Sequence, residues 1–269
     1  MQHDIGAVFR DLHQRGNPFI LANAWDLGSA KMLAALGAQA IATSSAAHAF
    51  TLGRPDGQVS RDEALEHAEA MVRAVNVPVS GDFENGYGNT PDAVAETVRL
   101  AFEAGLAGIS IEDVDPATGA PYPFDEAVER FRAGAAAARA LKRDFVLVAR
   151  ADGIMTGHYD IEEAIRRLAA FEAAGADCLY APVPKTWADL ERICKATALP
   201  VNALVVGEYA KRTRAEYAAI GAARLSLGSS LARATHRVIH DAARAMFDEG
   251  DFLPLGNSIS SRIINDLLG

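Results

Sequence analysis

The sequence predicts an α/β fold, a (β/α)8 TIM-type barrel that carries a C-terminal helical extension. The chain has 269 residues, half of them apolar, which is close to the roughly 250 residues typical of such barrels. Apolar, strand-like runs alternate with helical patterns, and eight alternating units favour a closed parallel barrel over an open sheet. The runs lie near residues 18–25, 38–45, 77–83, 107–112, 145–150, 177–182, 200–205 and 223–228.

A local signature recurs between these units. An Ala-rich amphipathic segment is followed by a glycine, a small residue and a β-prone run at Gly37, Gly105, Gly175 and Gly221. Each glycine is placed to adopt the left-handed conformation that ends a helix, after which the chain turns into a strand. The repetition indicates successive helix-to-strand connections.

One domain, residues 1–249, is expected to form the barrel, because no linker rich in Pro, Gly or Ser divides the chain. The extension, residues 250–269, has apolar residues at helical spacing, such as Ile259 and Ile263. It is expected to pack on the barrel or on a partner subunit. Residues 1–16 mix charged and apolar side chains and predict an amphipathic lead-in helix rather than a secretory signal.

Composition argues against several classes of function. The formal net charge of −9 disfavours a nucleic-acid surface, which needs clustered Lys and Arg. No run of roughly 18 apolar residues predicts a membrane span, and a cytoplasmic protein is expected. Cys178 and Cys194 match no metal or redox spacing and predict ordinary burial in a reducing compartment.

The peptide Gly81-Asp82-Phe83-Glu84-Asn85-Gly86-Tyr87-Gly88 is the most informative segment, because it follows an apolar run and sets two carboxylates where a strand would end. Carboxylate oxygens beside a flexible glycine loop can hold a divalent cation and leave coordination positions free for a substrate. The segment therefore predicts the metal centre of an enzyme. The alternative is a solvated acidic turn.

Polar side chains end most of the other predicted strands as well. In a parallel barrel these ends meet at one mouth. Crowded carboxylates would repel one another unless a cation or an arginine compensated them, which makes bound Mg²⁺, or alternatively Mn²⁺, the simplest resolution. Zinc is disfavoured because no strand end carries His or Cys at ligand spacing. The set is Ser44, Ser45, Asp82, Glu84, Glu112, Asp113, Arg150, Asp152, Asn202, Ser226 and Ser229.

Other catalytic signatures are missing from the sequence. It has no Gly-x-Gly-x-x-Gly after the first strand, no phosphate-binding Gly-Lys-Ser/Thr loop and no Gly-x-Ser-x-Gly elbow. Nucleotide cofactors and serine-hydrolase chemistry are therefore not expected. His236 and His240, four residues apart, are interpreted as one face of a helix.

Residues 81–88 fit the pattern Asp-x-Asp/Glu-x-Gly-Tyr-Gly, the most specific motif of the isocitrate lyase/phosphoenolpyruvate mutase superfamily, and the chain resembles this family over most of its length. The resemblance implies a Mg²⁺-dependent barrel that binds a small 2-oxo acid and passes through an enolate. Matching segments are residues 23–26 with Ser29 and Ala30, then 53–56, 111–113, 149–152, 173–177, 200–203 and 224–229. The last two are similar to the shorter members.

The resemblance also assigns a metal set. Asp82 would be the direct metal ligand, while Asp56, Glu84 and Glu112 would hold metal-bound waters. Glu112 is included among the expected catalytic residues, together with Arg150.

The substrate site follows from the same resemblance. Ser44 and the backbone of Ser45 and Ala46 would hold the carboxylate beside the keto group. Arg150 would grip a carboxylate or the enolate oxygen with its planar fork of donors. For Arg150 the alternative is an ion pair with Asp152 or Glu112 that only neutralises the mouth.

Three further residues complete the expected site. Trp25 is assigned to substrate binding through the segment that it shares with the family. Tyr87 would hydrogen-bond an oxygen at the metal or relay the proton that quenches the enolate, and its alternative is a packed loop tyrosine. Asn202 would either contact the substrate or cap the end of its strand.

The departures from the family direct the choice of reaction. Lyases that cleave isocitrate or methylisocitrate carry Lys-Lys-Cys-Gly-His after the Glu-Asp strand, whereas residues 114–123 here contain no Cys, Lys or His. Decarboxylation needs only an electron sink at the bond-breaking step, so oxaloacetate decarboxylation to pyruvate is the leading hypothesis. The alternatives are a retro-aldol lyase of a methylisocitrate- or dimethylmalate-like acid, P–C bond chemistry, and a 2-oxo acid-binding protein with little turnover.

The resemblance extends to assembly. Members of the family commonly form dimers of dimers that exchange a C-terminal helix, and a homotetramer is expected here.

Overall fold

A computed structural model describes residues 4–269 and confirms the closed (β/α)8 barrel. The eight strands pair in chain order, each parallel to its neighbours, and the last closes against the first. All eight fall within the runs that the sequence predicts. They are β1 Phe19–Asn23, β2 Ala40–Ala42, β3 Val79–Asp82, β4 Gly108–Glu112, β5 Val146–Arg150, β6 Cys178–Tyr180, β7 Val201–Leu204 and β8 Arg224–Ser226.

The helices start and stop where local side chains satisfy their ends. Ser60 and Glu63 form a reciprocal capping box at the start of one helix. The four glycines predicted to end helices all have positive φ, between 87° and 106°, as a left-handed C-terminal turn requires. The helices are α1 Ile5–Asp11, α2 Leu27–Ala35, α3 Ser45–Thr51, α4 Arg61–Ala74, α5 Pro91–Glu103, α6 Phe124–Arg139, α7 Ile161–Ala173, α8 Trp187–Lys195, α9 Arg214–Ala219, α10 Ser230–Arg244 and α11 Ser261–Leu268.

Two large apolar cores hold the barrel, and Ala49, Val59 and Ala64 form a small third cluster. One lies between the strands and the surrounding helices, and the other fills the barrel interior. At the N-terminal end of the interior, Phe9 of α1 is fully buried and packs edge-on against Phe19 of β1. The predicted lead-in helix therefore exists as Ile5–Asp11; residues 1–3 of that prediction lie outside the described chain.

The C-terminal segment packs partly on its own barrel. Helix α11 lies against α2, where Lys31 Nζ donates to the carbonyl oxygen of Leu268 at 3.1 Å. This segment and the residues just before it leave large apolar side chains in solvent, including Phe247 and Leu253, each 82% exposed. The boundary at residue 250 stays a prediction. No helix in residues 4–269 is long and apolar enough to cross a membrane.

Gly108 tests how tightly β4 and β5 approach each other. A β-carbon at this position would lie 2.3 Å from the carbonyl oxygen of Val146, and a backbone atom in a paired strand cannot move away freely. Gly108→Ala is expected to lower the free energy of unfolding by about 1–3 kcal/mol, measured by urea denaturation. The control is Gly256→Ala, where a β-carbon would meet nothing within 4 Å. Equal stability of the two variants would contradict the close approach.

Candidate functional site

A cavity of about 170 Å³ opens at the C-terminal ends of the barrel strands. Its size suits a small acid rather than the drug-sized ligands that fill pockets of roughly 300–1,000 Å³. The structure brings most of the predicted strand-end residues to its wall. Those that line it are Ser44, Ser45, Asp82, Arg150, Ser226 and Ser229, and they are joined there by Ala46 and Asp56 of the predicted site.

Arg150 is the centre of an ion cluster at this mouth. Its Nη1 lies 2.6 Å from Asp82 Oδ1, and its Nη2 lies 3.0 Å from Glu112 Oε2. Asp152 takes a bidentate position, with Nε at 3.0 Å and Nη2 at 2.7 Å. Burial alone would lower the pKa of Arg150, but the three carboxylates outweigh it and raise that pKa well above its usual value.

Asp82 is held in place from the opposite side by the β2–α3 connection. The backbone N–H and the hydroxyl of Ser45 both donate to Asp82 Oδ2, each at 3.1 Å. Asp82 N–H donates in turn to Thr43 Oγ1 at 2.8 Å. Ser44 Oγ accepts from Ala47 N–H as the N-cap of α3. Two groups expected to cradle a substrate carboxylate, Ser44 Oγ and Ser45 N–H, therefore already have partners inside the protein.

The remaining acids of the expected metal set lie in an environment that favours their neutral form. Burial, followed by the charges of Asp82 and Asp56, raises the pKa of Glu84 to about 7. Burial and Asp82 likewise raise the pKa of Asp56. For Glu112, burial outweighs the attraction of Arg150, and its pKa lies well above the ordinary value. Added positive charge would relieve this crowding.

These residues fit a divalent cation by their chemistry. Every donor is a carboxylate oxygen, which Mg²⁺ and Mn²⁺ prefer. Glu84 Oε1 is buried and has no hydrogen-bond partner within residues 4–269. In the same part of the chain, no three His, Cys, Asp or Glu side chains are grouped tightly enough to hold a metal ion by themselves. The arrangement suits one direct ligand supported through water.

The loop that carries Asp82 and Glu84 has an unusual backbone, which Arg130 stabilises. Glu84 and Tyr87 both have positive φ, 46° and 56°, a strained conformation for residues with a β-carbon. Arg130, only 1% exposed, donates to the carbonyl oxygens of Asn85 and Gly88, both at 2.6 Å. Its position in α6 gave no functional signal in the sequence.

Five predicted site residues do not line this cavity. Two are the metal-set acids Glu84 and Glu112, and the others are Trp25, Tyr87 and Asn202. The backbone N–H of Trp25 donates to Ser29 Oγ at 3.1 Å, and Trp25 does not line the cavity. The Tyr87 hydroxyl is buried without a partner in the described chain and lines a smaller space beside Asp82. Asn202 is fully buried behind the wall, where its Nδ2 donates to Ser226 Oγ at 2.8 Å.

The cysteines and the histidine pair have the ordinary roles that the sequence predicts. Cys178 and Cys194 are buried as free thiols, and burial raises their pKa values to about 11 and about 12. Such thiols are inert. His236 and His240 both lie on α10, and His240 Nδ1 is 2.9 Å from Asp241.

Besides Arg130, two further contributors were missed by sequence reasoning, Arg167 and Arg224. Asp113, grouped in the sequence with the mouth residues, is buried behind them: its Oδ2 pairs with Arg167 of α7 at 2.9 Å, and its Oδ1 accepts from Asp152 N–H at 2.7 Å. Arg167 gave no signal, because a helical arginine resembles any exposed one. Arg224, the first residue of β8, lines the cavity and is 3% exposed. Its place in an apolar run was the available signal.

Comparison with known proteins gives a consistent relationship. A family model described as phosphoenolpyruvate phosphomutase matches residues 9–247. The oxaloacetate decarboxylase of Rhodopseudomonas palustris is 34% identical over 76% of this chain and 69% of its own. The 2,3-dimethylmalate lyase of Eubacterium barkeri is 32% identical over 70% and 66%. A crystal structure of a Burkholderia cenocepacia protein, described only as a candidate lyase/mutase, superposes with a TM-score of 0.93 at 41% identity and covers 97% of this chain and 94% of its own.

Glu84 allows a test of the crowded acids. The pKa of Glu84 is about 7 in the folded chain, against an ordinary value of 4.5. An acid with a raised pKa destabilises the folded protein as the pH rises through that interval, because the unfolded chain gives up the proton more easily. Glu84→Gln removes the penalty, so its gain in melting temperature over the wild type should be larger at about pH 8 than at about pH 5. Added Mg²⁺ should stabilise the wild type more than the variant.

The matched control is Glu66→Gln on α4, which is exposed. Its melting temperature should follow the wild type at both pH values and with Mg²⁺. A Glu84→Gln gain that is equal at both pH values would contradict the raised pKa.

Proposed function

The chain belongs to the phosphoenolpyruvate phosphomutase family and is a lyase of the isocitrate lyase/phosphoenolpyruvate mutase superfamily, and from this premise we propose that it decarboxylates oxaloacetate to pyruvate. The family relationship confirms the resemblance read from the sequence. The substrate would be a small 2-oxo dicarboxylate, and the reaction would pass through the enolate of pyruvate.

The observation that carries the proposal is the Arg150–Asp82 pair on the cavity wall. When the bond to the departing carboxylate breaks, its electrons move onto the keto oxygen and create an enolate. Preorganised positive charge at that oxygen stabilises the transition state more than the reactant. Arg150 is fixed by carboxylates on both sides, so its charge does not have to reorganise during the reaction.

The expected divalent cation, Mg²⁺ or Mn²⁺, is part of the proposal. Asp82 would hold it directly, and Asp56, Glu84 and Glu112 would hold it through water. When bound, it would supply further positive charge to the developing enolate. Asp82 is already oriented for this by its two hydrogen bonds from Ser45.

The choice of decarboxylation over the alternatives is supported by the composition of the wall. A retro-aldol lyase, as the dimethylmalate lyase relative would suggest, needs an acid for the departing carbanion. Among the described residues that line the cavity there is no Cys, Lys or His. P–C bond chemistry and oxo-acid binding without turnover are the other candidates, and product analysis separates all four.

We also propose a second copy of this chain as the partner of the C-terminal region. Monomeric proteins rarely leave contiguous large apolar side chains in solvent. Residues 238–259 expose six that are each more than half accessible. They are Val238, Ile239, Phe247, Phe252, Leu253 and Leu255, with Ile259 at 50% beside them. This surface supports the expected dimer of dimers.

The decarboxylase proposal is tested with the purified protein, Mg²⁺ and a panel of oxaloacetate, dimethylmalate, methylisocitrate and phosphonopyruvate, followed by NMR. Oxaloacetate should yield pyruvate above the metal-only background. Asp82→Ala and Arg150→Met should each lower kcat/KM by about a hundredfold or more, because each removes charge organisation at the enolate. Glu66→Gln, an exposed carboxylate on α4 that does not line the cavity, is the control and should retain full activity. Cleavage of a hydroxy acid, or no product from any acid, would overturn the proposal.

Assembly is tested by light scattering. The wild type should have a mass several times the 28.5 kDa of one chain. The double variant Phe247→Ser with Leu253→Ser should shift toward smaller species, because it removes apolar area from the surface. Val8→Ser on α1, which alters an exposed side chain elsewhere, should leave the mass unchanged. A wild type that is monomeric in solution would contradict the proposal that a second copy covers this surface.

A further inference from the structure

Arg224 is a buried cation that the proposed reaction has not used. It begins β8, is 3% exposed and lines the cavity. Ser226 lies two residues later on the same strand and also lines the cavity. Because residues two apart share one face of a strand, Arg224 reaches the cavity from the side away from the mouth, at its floor.

The guanidinium of Arg224 has no charge partner within residues 4–269. Its Nε donates to Asn202 Oδ1 at 2.9 Å. Its Nη1 is buried without a hydrogen-bond partner, and no carboxylate of the described chain lies within salt-bridge distance. Arginine stays charged in proteins, and an unpaired buried charge costs several kcal/mol. Such a group is normally compensated by an anion.

Arg150 is less available than Arg224 to bind a further anion. Each of its three nitrogens already contacts a carboxylate oxygen, from Asp82, Glu112 or Asp152. Arg224 by contrast uses only Nε. The free cationic donors of the cavity therefore belong to Arg224.

We propose that Arg224 is the residue that binds the carboxylate which the substrate keeps through the reaction. This inference rests on the proposed function and adds a specificity-determining residue to it. The ligand class is a small 2-oxo carboxylate, with its charged end on the cavity floor and its oxo group toward Asp82 and Arg150.

The chemistry of decarboxylation decides which carboxylate Arg224 takes. The departing carboxylate loses its charge as it becomes CO₂, so a cation beside it would stabilise the reactant more than the transition state and slow the reaction. The carboxylate beside the oxo group stays charged throughout. The groups expected from the sequence to bind it are Ser44 Oγ and the backbone of Ser45 and Ala46, none of which is charged. Ser45 N–H already donates to Asp82, so Arg224 supplies the positive charge that these groups lack.

Asn202 has a supporting role in this arrangement. It accepts from Arg224 Nε and donates to Ser226 Oγ at 2.8 Å, so it fixes the plane of the guanidinium without facing the cavity itself. Asn202 is thus a positioning residue rather than a direct substrate contact.

The test is a binding experiment that does not depend on turnover. Calorimetry with Mg²⁺ present would measure oxalate, a stable analogue of the pyruvate enolate, and the pair pyruvate and pyruvamide, which differ in the carboxylate charge. The wild type should prefer pyruvate to pyruvamide. In Arg224→Gln, oxalate should bind at least about tenfold more weakly, and the preference for pyruvate should disappear. Arg224→Lys should retain part of that preference.

Two controls separate recognition of charge from support of the fold. Asn202→Ala removes the bond to Nε but keeps the cation, so the preference for pyruvate over pyruvamide should persist. Arg212→Gln removes an exposed arginine that does not line this cavity and should behave as the wild type. A folded Arg224→Gln that still prefers pyruvate, or an Asn202→Ala that loses the preference equally, overturns the inference.

A crystal structure of the wild type with oxalate keeps the inference testable if Arg224→Gln does not fold. A carboxylate oxygen is expected within hydrogen-bond distance of an Arg224 Nη atom, and oxalate bound away from Arg224 overturns the assignment. Its failure is distinct from that of the proposed function: oxaloacetate that yields no pyruvate removes the decarboxylase, whereas oxalate binding reports on Arg224 alone.

Discussion

The ion cluster of Arg150 with Asp82, Glu112 and Asp152 is the interaction on which the rest of the site depends. Three carboxylates from neighbouring strand ends meet one guanidinium that is only 13% exposed. Without that cation, the acids would be buried beside one another, and removing one partner of a buried ion pair typically costs about 3–5 kcal/mol. The cluster therefore joins β3, β4 and β5 at the mouth and also fixes the positive charge that faces the cavity.

A second layer of polar contacts keeps this cluster in register. Asp113 accepts from Asp152 N–H and pairs with Arg167, while the Tyr159 hydroxyl donates to it at 2.9 Å. On the other side, Arg130 holds the carbonyl groups of the loop after β3. Both arginines come from helices outside the barrel, so helix packing sets the precision with which the strand-end acids are presented.

The fold could be predicted from the sequence because each β/α unit contains local signals for its own strand and for the end of its own helix. The eight apolar runs became the eight strands, and the four helix-ending glycines adopted the predicted left-handed conformation. The sequence also predicted which residues meet at the mouth in most cases, because the C-terminal strand ends of a parallel barrel lie on one face.

What the sequence could not provide was the state of each polar group. The sequence does not indicate that Ser45 N–H donates to Asp82. Nor does it indicate that Asn202 points away from the cavity toward Ser226. Arg224 was visible only as a charge inside an apolar run, and its importance depends on the carboxylates that it lacks. Such properties come from pairing across strands distant in sequence, which periodicity does not record.

The distribution of unsatisfied polar atoms links stability to function. A buried donor or acceptor without a partner lowers the free energy of unfolding by about 1–3 kcal/mol. Such atoms are therefore rare in folded proteins unless they have a function. Within residues 4–269, three buried atoms near the cavity have no hydrogen-bond partner: Glu84 Oε1, the Tyr87 hydroxyl and Arg224 Nη1. His48 Nδ1 and His67 Nε2 join them beside the small space that Asp82 shares with Tyr87.

Four of these atoms come from residues near the C-terminal ends of the strands, where the cavity opens, and Arg224 Nη1 lies toward the cavity floor. Within residues 4–269, His13 Nε2 and Arg143 Nη1 are the further unpaired buried atoms, and neither residue lines the cavity. The interior of the barrel, by contrast, is filled with apolar side chains such as Leu21, Val146 and Val148. Water or a charged ligand is the natural partner for donors and acceptors of this kind. On the proposed function, a bound ligand would complete the polar groups of the mouth and floor, and it would stabilise the strained loop and the crowded acids.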